Sequence, residues 1–283
     1  MNKKLLSLFG LKWNPFLPDI PVEALLATPK LESFAFRVEQ GILRDGGFAL
    51  VTGEVGTGKS MAMRLLAERL ARVPEVAVGS ISRPQANLAD FYRELGELFG
   101  LTLKPHNRWH GTKALRERWE AHIETTLARP AVLIDEAQAM NAAVLSELRL
   151  LSSTKFDSRA LLSVVLAADG RILEKLKDQD LLPLASRIRT RLVVDVATPE
   201  ELQACLKHVI AAAGNAALMT KELMAALADH ALGNYRVLMN MAAELLTTAA
   251  QRELSQLDEK LFLEVIGAPR KAATAPARSG RRA

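Results

Sequence analysis

Two periods of apolar residues run through this chain and divide it. The stretch 47–52 is apolar and leads into a glycine loop, which predicts a buried parallel strand. Met61, Leu65, Leu66 and Leu70 recur at helical spacing, so a helix is expected over 61–72, ended by Pro74. Residues 76–82 alternate weakly and predict a second strand. Amphipathic helices follow over 88–98 and 112–127, joined by Pro105-His106-Asn107-Arg108. The pattern continues with a short buried strand at 131–134, a helix at 142–151, a strand at 161–167, a helix at 171–177 and a strand at 192–196. Strands separated by helices predict an α/β fold, a parallel sheet with helices on both faces.

The period changes at Thr198-Pro199-Glu200-Glu201. A Thr cap, Pro at the first helical position and acids in the first turn form a strong helix start. Every periodic segment from there to about 265 is helical and alanine-rich. Four regions are therefore expected: an N-terminal segment, 1–46, packing on the nucleotide domain; an α/β domain, 47–198; a small all-helical domain, 199–267; and a tail, 268–283, whose Ala/Pro/Arg/Ser composition predicts disorder. No internal repeat is visible.

Composition changes this picture in three places. No stretch approaches the eighteen or so apolar residues of a membrane span, so no membrane insertion is expected. The start, residues 1–9, is too short an apolar run for a signal segment and reads as part of the fold. A single cysteine, Cys205, excludes an internal disulfide framework and suits a reducing compartment, so a cytoplasmic location is expected. The net charge of +5 comes entirely from the tail: Arg270, Lys271, Arg278, Arg281 and Arg282 stand there with no acid. A basic tail fits a nucleic-acid partner or a solubilising end.

The chemistry is densest at Gly53-Glu54-Val55-Gly56-Thr57-Gly58-Lys59-Ser60, a G-x-x-x-x-G-K-S run between a strand and a helix. The glycines let backbone N–H groups turn around a β-phosphate, and the following helix N-terminus, from Ser60 and Met61 onward, adds positive charge. Lys59 reaches the β- and γ-phosphates and Ser60 ligates Mg²⁺, so ATP and Mg²⁺ are the expected ligands. The strand at 131–134 ends in Asp135 and Glu136. Asp135 is placed for the Mg²⁺ shell and Glu136 to polarise the attacking water, although such a pair also caps helices. Asp169, after the strand 161–167, could hold that water or be an Asp-Gly turn residue. In Ser186-Arg187-Ile188-Arg189-Thr190-Arg191, an arginine could act in trans on a neighbour's nucleotide; Arg187 is favoured, against an exposed cationic stretch. Arg236, in Gly233-Asn234-Tyr235-Arg236, starts a helix, which is unfavourable for its charge unless an anion meets it. His106 and His110 belong to no larger His/Cys cluster, so zinc is not expected.

These residues resemble an AAA+ ATPase, and more narrowly the ExeA-type group with the transposition ATPases of the TnsC and TniB kind. The resemblance spans about 8–265. It rests on Gly41-Ile42, Gly47-Phe48, the run Thr52 to Ser60, Ile134-Asp135-Glu136-Ala137-Gln138, Gly233-Asn234-Tyr235-Arg236, and the early Phe9-Gly10-Leu11 and Asn14-Pro15-Phe16. It implies a P-loop AAA+ fold, a parallel five-stranded sheet with helices on both faces, followed by a small all-helical lid. It also implies roles: Lys59 and Ser60 in Walker A, Asp135 and Glu136 in Walker B, Asp169 as sensor 1, Arg187 as arginine finger and Arg236 as sensor 2. Asn14 and Phe16 would then lie near the adenine, and the nucleotide between adjacent subunits of a ring or filament.

The ExeA-type secretion proteins usually continue into a transmembrane helix and a peptidoglycan-binding domain, where this sequence has a basic tail. The resemblance therefore leans towards a homo-oligomer on duplex DNA that regulates or recruits a transposase. A soluble secretion- or pilus-assembly ATPase and an ATP-gated switch with little turnover stay open. Because the body is neutral, a DNA contact needs a local patch, and Lys104, Arg108, Lys113 and Lys155 are its candidates.

Overall fold

The computed structural model describes residues 2–84, 87–103 and 107–266. The chain begins with α1 (Asn2–Phe9) and α2 (Pro29–Arg44). Strand and helix then alternate: β1 (Phe48–Gly53), α3 (Lys59–Ala71), β2 (Val76–Ile81), α4 (Leu88–Leu98), α5 (Arg108–Thr126), β3 (Arg129–Ile134) and α6 (Ala142–Leu151). A small antiparallel hairpin, β4 (Ser153–Thr154) and β5 (Arg159–Ala160), precedes β6 (Ser163–Ala168), α7 (Arg171–Lys175), α8 (Leu182–Ala185) and β7 (Ile188–Val194). The described residues end with four helices, α9 (Pro199–Ala212), α10 (Lys221–His230), α11 (Tyr235–Gln251) and α12 (Glu259–Val265).

Five strands form one parallel sheet in the order β2-β3-β6-β1-β7. Strand residues alternate between its faces with period two. Phe48 and Leu50, with Val132, Ile134, Val164 and Leu166, face the core shared with α4, α5 and α6. Ala49, Val51, Ala131, Leu133, Val165 and Ala167 face α2 and α3, against Phe34, Val38, Leu66 and Leu70. Burial on both faces explains why the strands read as continuous apolar runs rather than alternating ones.

The last strand is longer than its sequence suggested. It begins at Ile188, so Arg189 and Arg191 belong to β7 instead of preceding it. β7 pairs on one side only, with β1, and its exposed arginines charge an edge that would otherwise be open to pairing. The helix α5 also starts earlier than expected, at Arg108, capped by the Asn107 side chain on His110 N–H.

Helix α9 begins at Pro199, directly behind the Thr198 cap. Thr198 Oγ1 accepts from Glu201 N–H and the Glu201 carboxylate accepts from Thr198 N–H, a reciprocal cap contributing about 1 kcal/mol. The core of the helical domain joins Leu202, Leu206, Leu227, Leu238 and Leu245 from α9, α10 and α11. The N-terminal segment divides between the two domains. Leu5, Phe9, Leu11, Phe16, Ile20 and Ala24 pack into the helical domain, whereas α2 lies on the sheet. Packing of the whole of 1–46 on the nucleotide domain is thus corrected, because the apolar side of α1 finds its partners on α9–α11. Arg64 of α3 ties the segment back by donating to the Pro18 and Ile20 carbonyls.

Candidate functional site

The carboxyl ends of β1, β3 and β6 meet the helical domain at one crevice. The loop after β1 is shaped by Gly56 and Gly58, at φ 83° and 104°, a region other residues adopt only with strain. Gly58 is the residue before α3, which points the first amides of that helix into the loop. Thr57 Oγ1 donates to the Glu54 carbonyl at 2.9 Å. The buried Lys59 ammonium donates to the carbonyls of Gly53 and Glu54 at 2.9 and 2.8 Å. Ser60, the next residue of α3, is exposed.

Opposite this loop stand the acids of β3. Asp135 follows the strand, its N–H donates to Ile81 O at 2.9 Å, and one of its oxygens accepts from Glu136 N–H at 2.9 Å. Glu136 has a left-handed backbone, φ 54°, which turns the chain into a short 3₁₀ turn, Ala137–Ala139. Gln138 donates its side-chain amide to the Glu136 carboxylate and accepts from Asp169 N–H at 3.2 Å. The buried Gln138 thus links the Glu136 carboxylate to the end of β6. Lys175 fixes that turn through the carbonyls of Gln138 and Met140, at 2.6 and 2.8 Å.

Asp169 is engaged as well. Arg171 grips its carboxylate with a fork of bonds at 2.6 to 3.0 Å. That hydrogen bonding, helped by the charge of Lys59, holds the carboxyl below the usual carboxylate range. The Arg171 guanidinium is raised in turn, first by Asp169 and also by Glu136.

The helical domain supplies the fourth wall. Gly233, at φ 77°, approaches the domain junction so closely that a Cβ there would lie 2.1 Å from Val196 Cγ1 and 2.7 Å from the Ala197 carbonyl. Asn234 caps α11 by accepting from the N–H groups of Arg236 and Val237. Its amide donates to the Val55 carbonyl at 3.0 Å, across the domain boundary. A Cβ on Gly56 would collide with that same side chain at 2.1 Å. Tyr235 lies beside Gly58, and burial pushes its phenol up to about 12. The Arg236 side chain is exposed and makes no hydrogen bond or ion pair among the described residues.

The structure thus brings Gly53, Glu54, Val55, Gly56, Thr57, Gly58, Lys59, Ser60, Met61, Asp135, Glu136, Asp169 and Arg236 to one crevice. It places Asn14, Phe16, Arg187, Arg108, Lys113 and Lys155 elsewhere. Phe16 is 4% exposed within the helical core, so its ring has no face left for adenine; Asn14 caps it, accepting from Phe16 N–H at 3.0 Å. Arg187 stands at the start of β7, the sheet edge opposite the crevice, donating to Pro183 O at 2.7 Å and paired with Asp157. Arg108 is bound to Glu147, whose side chain is 2% exposed and also accepts from Tyr92 Oη. Burial and that carboxylate hold the Tyr92 phenol well above its ordinary value. Arg108, expected to contact DNA, thus already neutralises a buried acid. Lys113 lies over the Trp109 ring, 5.5 Å from its centroid, and 3.7 Å from Glu117, whereas Lys155 is exposed at a hairpin tip; Lys104 and the tail lie outside the described residues. Gln138, Lys175, Arg171 and Asn234 were missed as site residues; for Gln138 and Asn234 the signal was present, inside the motifs that carried the resemblance.

Comparison with known proteins agrees with this geometry. Residues 42–176 match the AAA domain family. General secretion pathway protein A of Aeromonas hydrophila is 31% identical over 209 residues, which are 73% of this chain and 37% of that protein. The chain thus spans little more than a third of that relative's length. Among solved structures, the Aeropyrum pernix ORC2 protein superposes with a TM-score of 0.72 at 14% identity, over 90% of this chain and 71% of that one. The Aeropyrum pernix ORC1 protein in complex with DNA gives 0.68 at 19% identity, over 89% and 68%. At such identities the superpositions speak for the fold alone.

Proposed function

We propose that this AAA+ protein of the ExeA-type group hydrolyses ATP, assembles head to tail, and works as an oligomer on duplex DNA, where it regulates or recruits a transposase. The observation that carries the ATPase reading is the convergence of the phosphate loop, the Asp135-Glu136 pair and the Asn234-capped helix on one crevice. In this reading the loop amides and Lys59 hold the phosphates, and the ammonium exchanges its carbonyl partners for phosphate oxygens. Ser60 and Asp135 are the residues that would hold Mg²⁺, which neutralises charge on the transferred phosphoryl group. Glu136, steadied by Gln138, orients the water. Arg236 meets the γ-phosphate from the lid, so that closure of the lid reports the nucleotide state.

The position of Arg187 supports the reading of head-to-tail assembly. This arginine stands at the opposite edge of the sheet from its own phosphate loop, so only a neighbour's nucleotide is within reach of its chemistry. The DNA and transposase parts are supported by the resemblance to transposition ATPases and by a fold also found in a protein bound to DNA. A second reading, a secretion- or pilus-assembly ATPase, is favoured by the sequence identity with General secretion pathway protein A. Among the described residues, no helix is long and apolar enough to cross a membrane.

The deciding experiment measures duplex binding with ATP and with ADP at several salt concentrations, alongside steady-state hydrolysis. ATP-dependent, salt-sensitive binding is expected. Hydrolysis without DNA binding in either nucleotide state at low salt would transfer the assignment to secretion assembly.

A further inference from the structure

At the amino-terminal edge of the sheet, away from the nucleotide crevice, the starts of β1, β3 and β7 and the small hairpin enclose a cleft of about 420 Å³. Arg44, Arg129, Arg159, Arg187 and Arg189 line it, against the carboxylates of Asp45 and Asp157. Positive charge is therefore in clear excess, in a chain whose residues before the basic tail carry equal numbers of basic and acidic side chains. Most of the pairs within it are long and exposed. Asp45 is shared between Arg44 at 3.3 Å and Arg189 at 3.5 Å, and Arg159 reaches Glu124, outside the cleft, at 3.4 Å. Such pairs hold their arginines loosely, and guanidinium forks are shaped to exchange a carboxylate for two phosphate oxygens.

One rim of the cleft is unusual. The tip of the β4–β5 hairpin carries Lys155, Phe156 and Asp157 in succession at φ 50°, 55° and 65°, all left-handed and none a glycine. Backbone of this kind is retained where surroundings enforce it and gathers at functional sites. Here Asp157 is held by the Ser153 hydroxyl and by Arg187. The result is that Phe156 projects wholly into solvent beside Lys155. An aromatic ring and a lysine raised at the edge of an arginine-lined cleft form the combination that nucleic-acid surfaces use, phosphate neutralisation with an apolar contact to sugar or base.

We propose that this cleft and its hairpin tip are the duplex-DNA contact: Arg44, Arg159 and Arg189 take consecutive phosphates while Lys155 and Phe156 reach the adjoining groove edge. The proposal rests on the DNA reading above and gives it a surface. It also replaces most of the patch expected from sequence, since Arg108 is spent on Glu147 and Lys113 is shared between Glu117 and Trp109. The nucleotide crevice lies at the other end of the sheet, and Arg187, which also lines the cleft, is left out of the contact because the assembly reading gives it to a neighbour's nucleotide.

The test is fluorescence anisotropy of a short labelled duplex against the full chain with ATP over a salt series. Arg44→Gln/Arg159→Gln should lower the salt slope by about two and weaken binding roughly tenfold near physiological salt. Phe156→Ala, at a fully exposed position, should weaken binding severalfold with the slope unchanged, because it removes an apolar contact. Lys113→Ala should bind as wild type, and all three should keep the DNA-free ATPase rate. Wild-type affinity and slope in both cleft variants, with the wild type binding, would overturn the cleft and leave the DNA reading standing. Loss with Lys113→Ala instead would put the contact on α5. No binding by the wild type at low salt would end both, and a cleft-dependent attachment to phosphatidylglycerol vesicles in that case would identify the cleft as a membrane contact.

Discussion

The side-chain amide of Asn234 donates to the carbonyl of Val55 at 3.0 Å, and through this bond the cap of α11 holds the glycine loop that follows β1. One residue therefore has two duties, since its oxygen caps α11 on the Arg236 and Val237 amides. Substitutions can separate them. Asn234→Ser keeps a capping oxygen but is too short to reach Val55. It should raise the KM for ATP severalfold with little loss of stability, whereas Asn234→Ala should also cost about 1 kcal/mol. ATPase kinetics and urea denaturation of the two variants check this, and equal KM values for Asn234→Ser and wild type would remove the coupling.

Glu136 and Gln138 should differ in kind. Glu136→Gln leaves Asp135 and the loop intact, so nucleotide binding should persist while kcat falls by roughly 10²–10⁴. Gln138→Ala leaves the carboxylate but frees its orientation, so a smaller fall in kcat is expected, about tenfold. Binding of a fluorescent ATP analogue with single-turnover hydrolysis distinguishes them. Wild-type turnover in Glu136→Gln would mean another group positions the water.

The pairing of Arg187 with Asp157 gives assembly a test of its own. Lys59→Ala and Arg187→Ala subunits, each inactive, should recover hydrolysis when mixed, since each supplies what its neighbour lacks. Asp157→Asn should release the arginine and raise the rate per subunit at low protein concentration. Concentration-independent rates with no rescue on mixing would point to a monomeric enzyme.

How much of this was legible in the sequence depended on the range of the interactions. The phosphate loop and the Asp135-Glu136 pair were readable because their chemistry is local: glycines, a lysine and a strand end at fixed spacing. The five parallel strands followed from helices alternating with buried apolar runs, whereas their order in the sheet did not. What could not be read were the contacts made across the fold. Nothing near Phe16 in sequence says that its ring is taken up by helices two hundred residues later, and nothing near Arg108 foretells Glu147 on α6. The start of β7 at Ile188 was hidden because an edge strand tolerates arginines that a central strand would reject.

The Asp169–Arg171 pair carries a pH signature. Asp169 is held below the usual carboxylate range, chiefly by Arg171. A depressed folded pKa gives stability that is complete above the ordinary aspartate value, near 4, and disappears as pH falls through the lower folded value. The stability difference between wild type and Arg171→Ala should thus be flat from neutral pH to about 4 and shrink below it. Denaturation midpoints across that range provide the measurement. A difference constant to the acid limit would show that Arg171 stabilises by packing and not through this carboxylate.

Arg108 offers the sharpest contrast between a structural and a DNA-binding role. Its guanidinium stands on the carboxylate of Glu147, a side chain only 2% exposed that also accepts from Tyr92. Arg108→Ala leaves that carboxylate buried with one neutral donor, and the expected cost is roughly 2 kcal/mol, moderated because Arg108 itself is more than half exposed. Glu147→Gln removes the charge that needs the arginine, so the double variant should be nearly as stable as Glu147→Gln alone. The coupling energy from that cycle reads the pair directly. A phosphate contact predicts the opposite pattern: stability unchanged in Arg108→Ala, no coupling to Glu147, and a DNA salt slope lower by about one. Since a guanidinium cannot satisfy Glu147 and a phosphate equally at once, the two measurements on one set of variants decide between the roles.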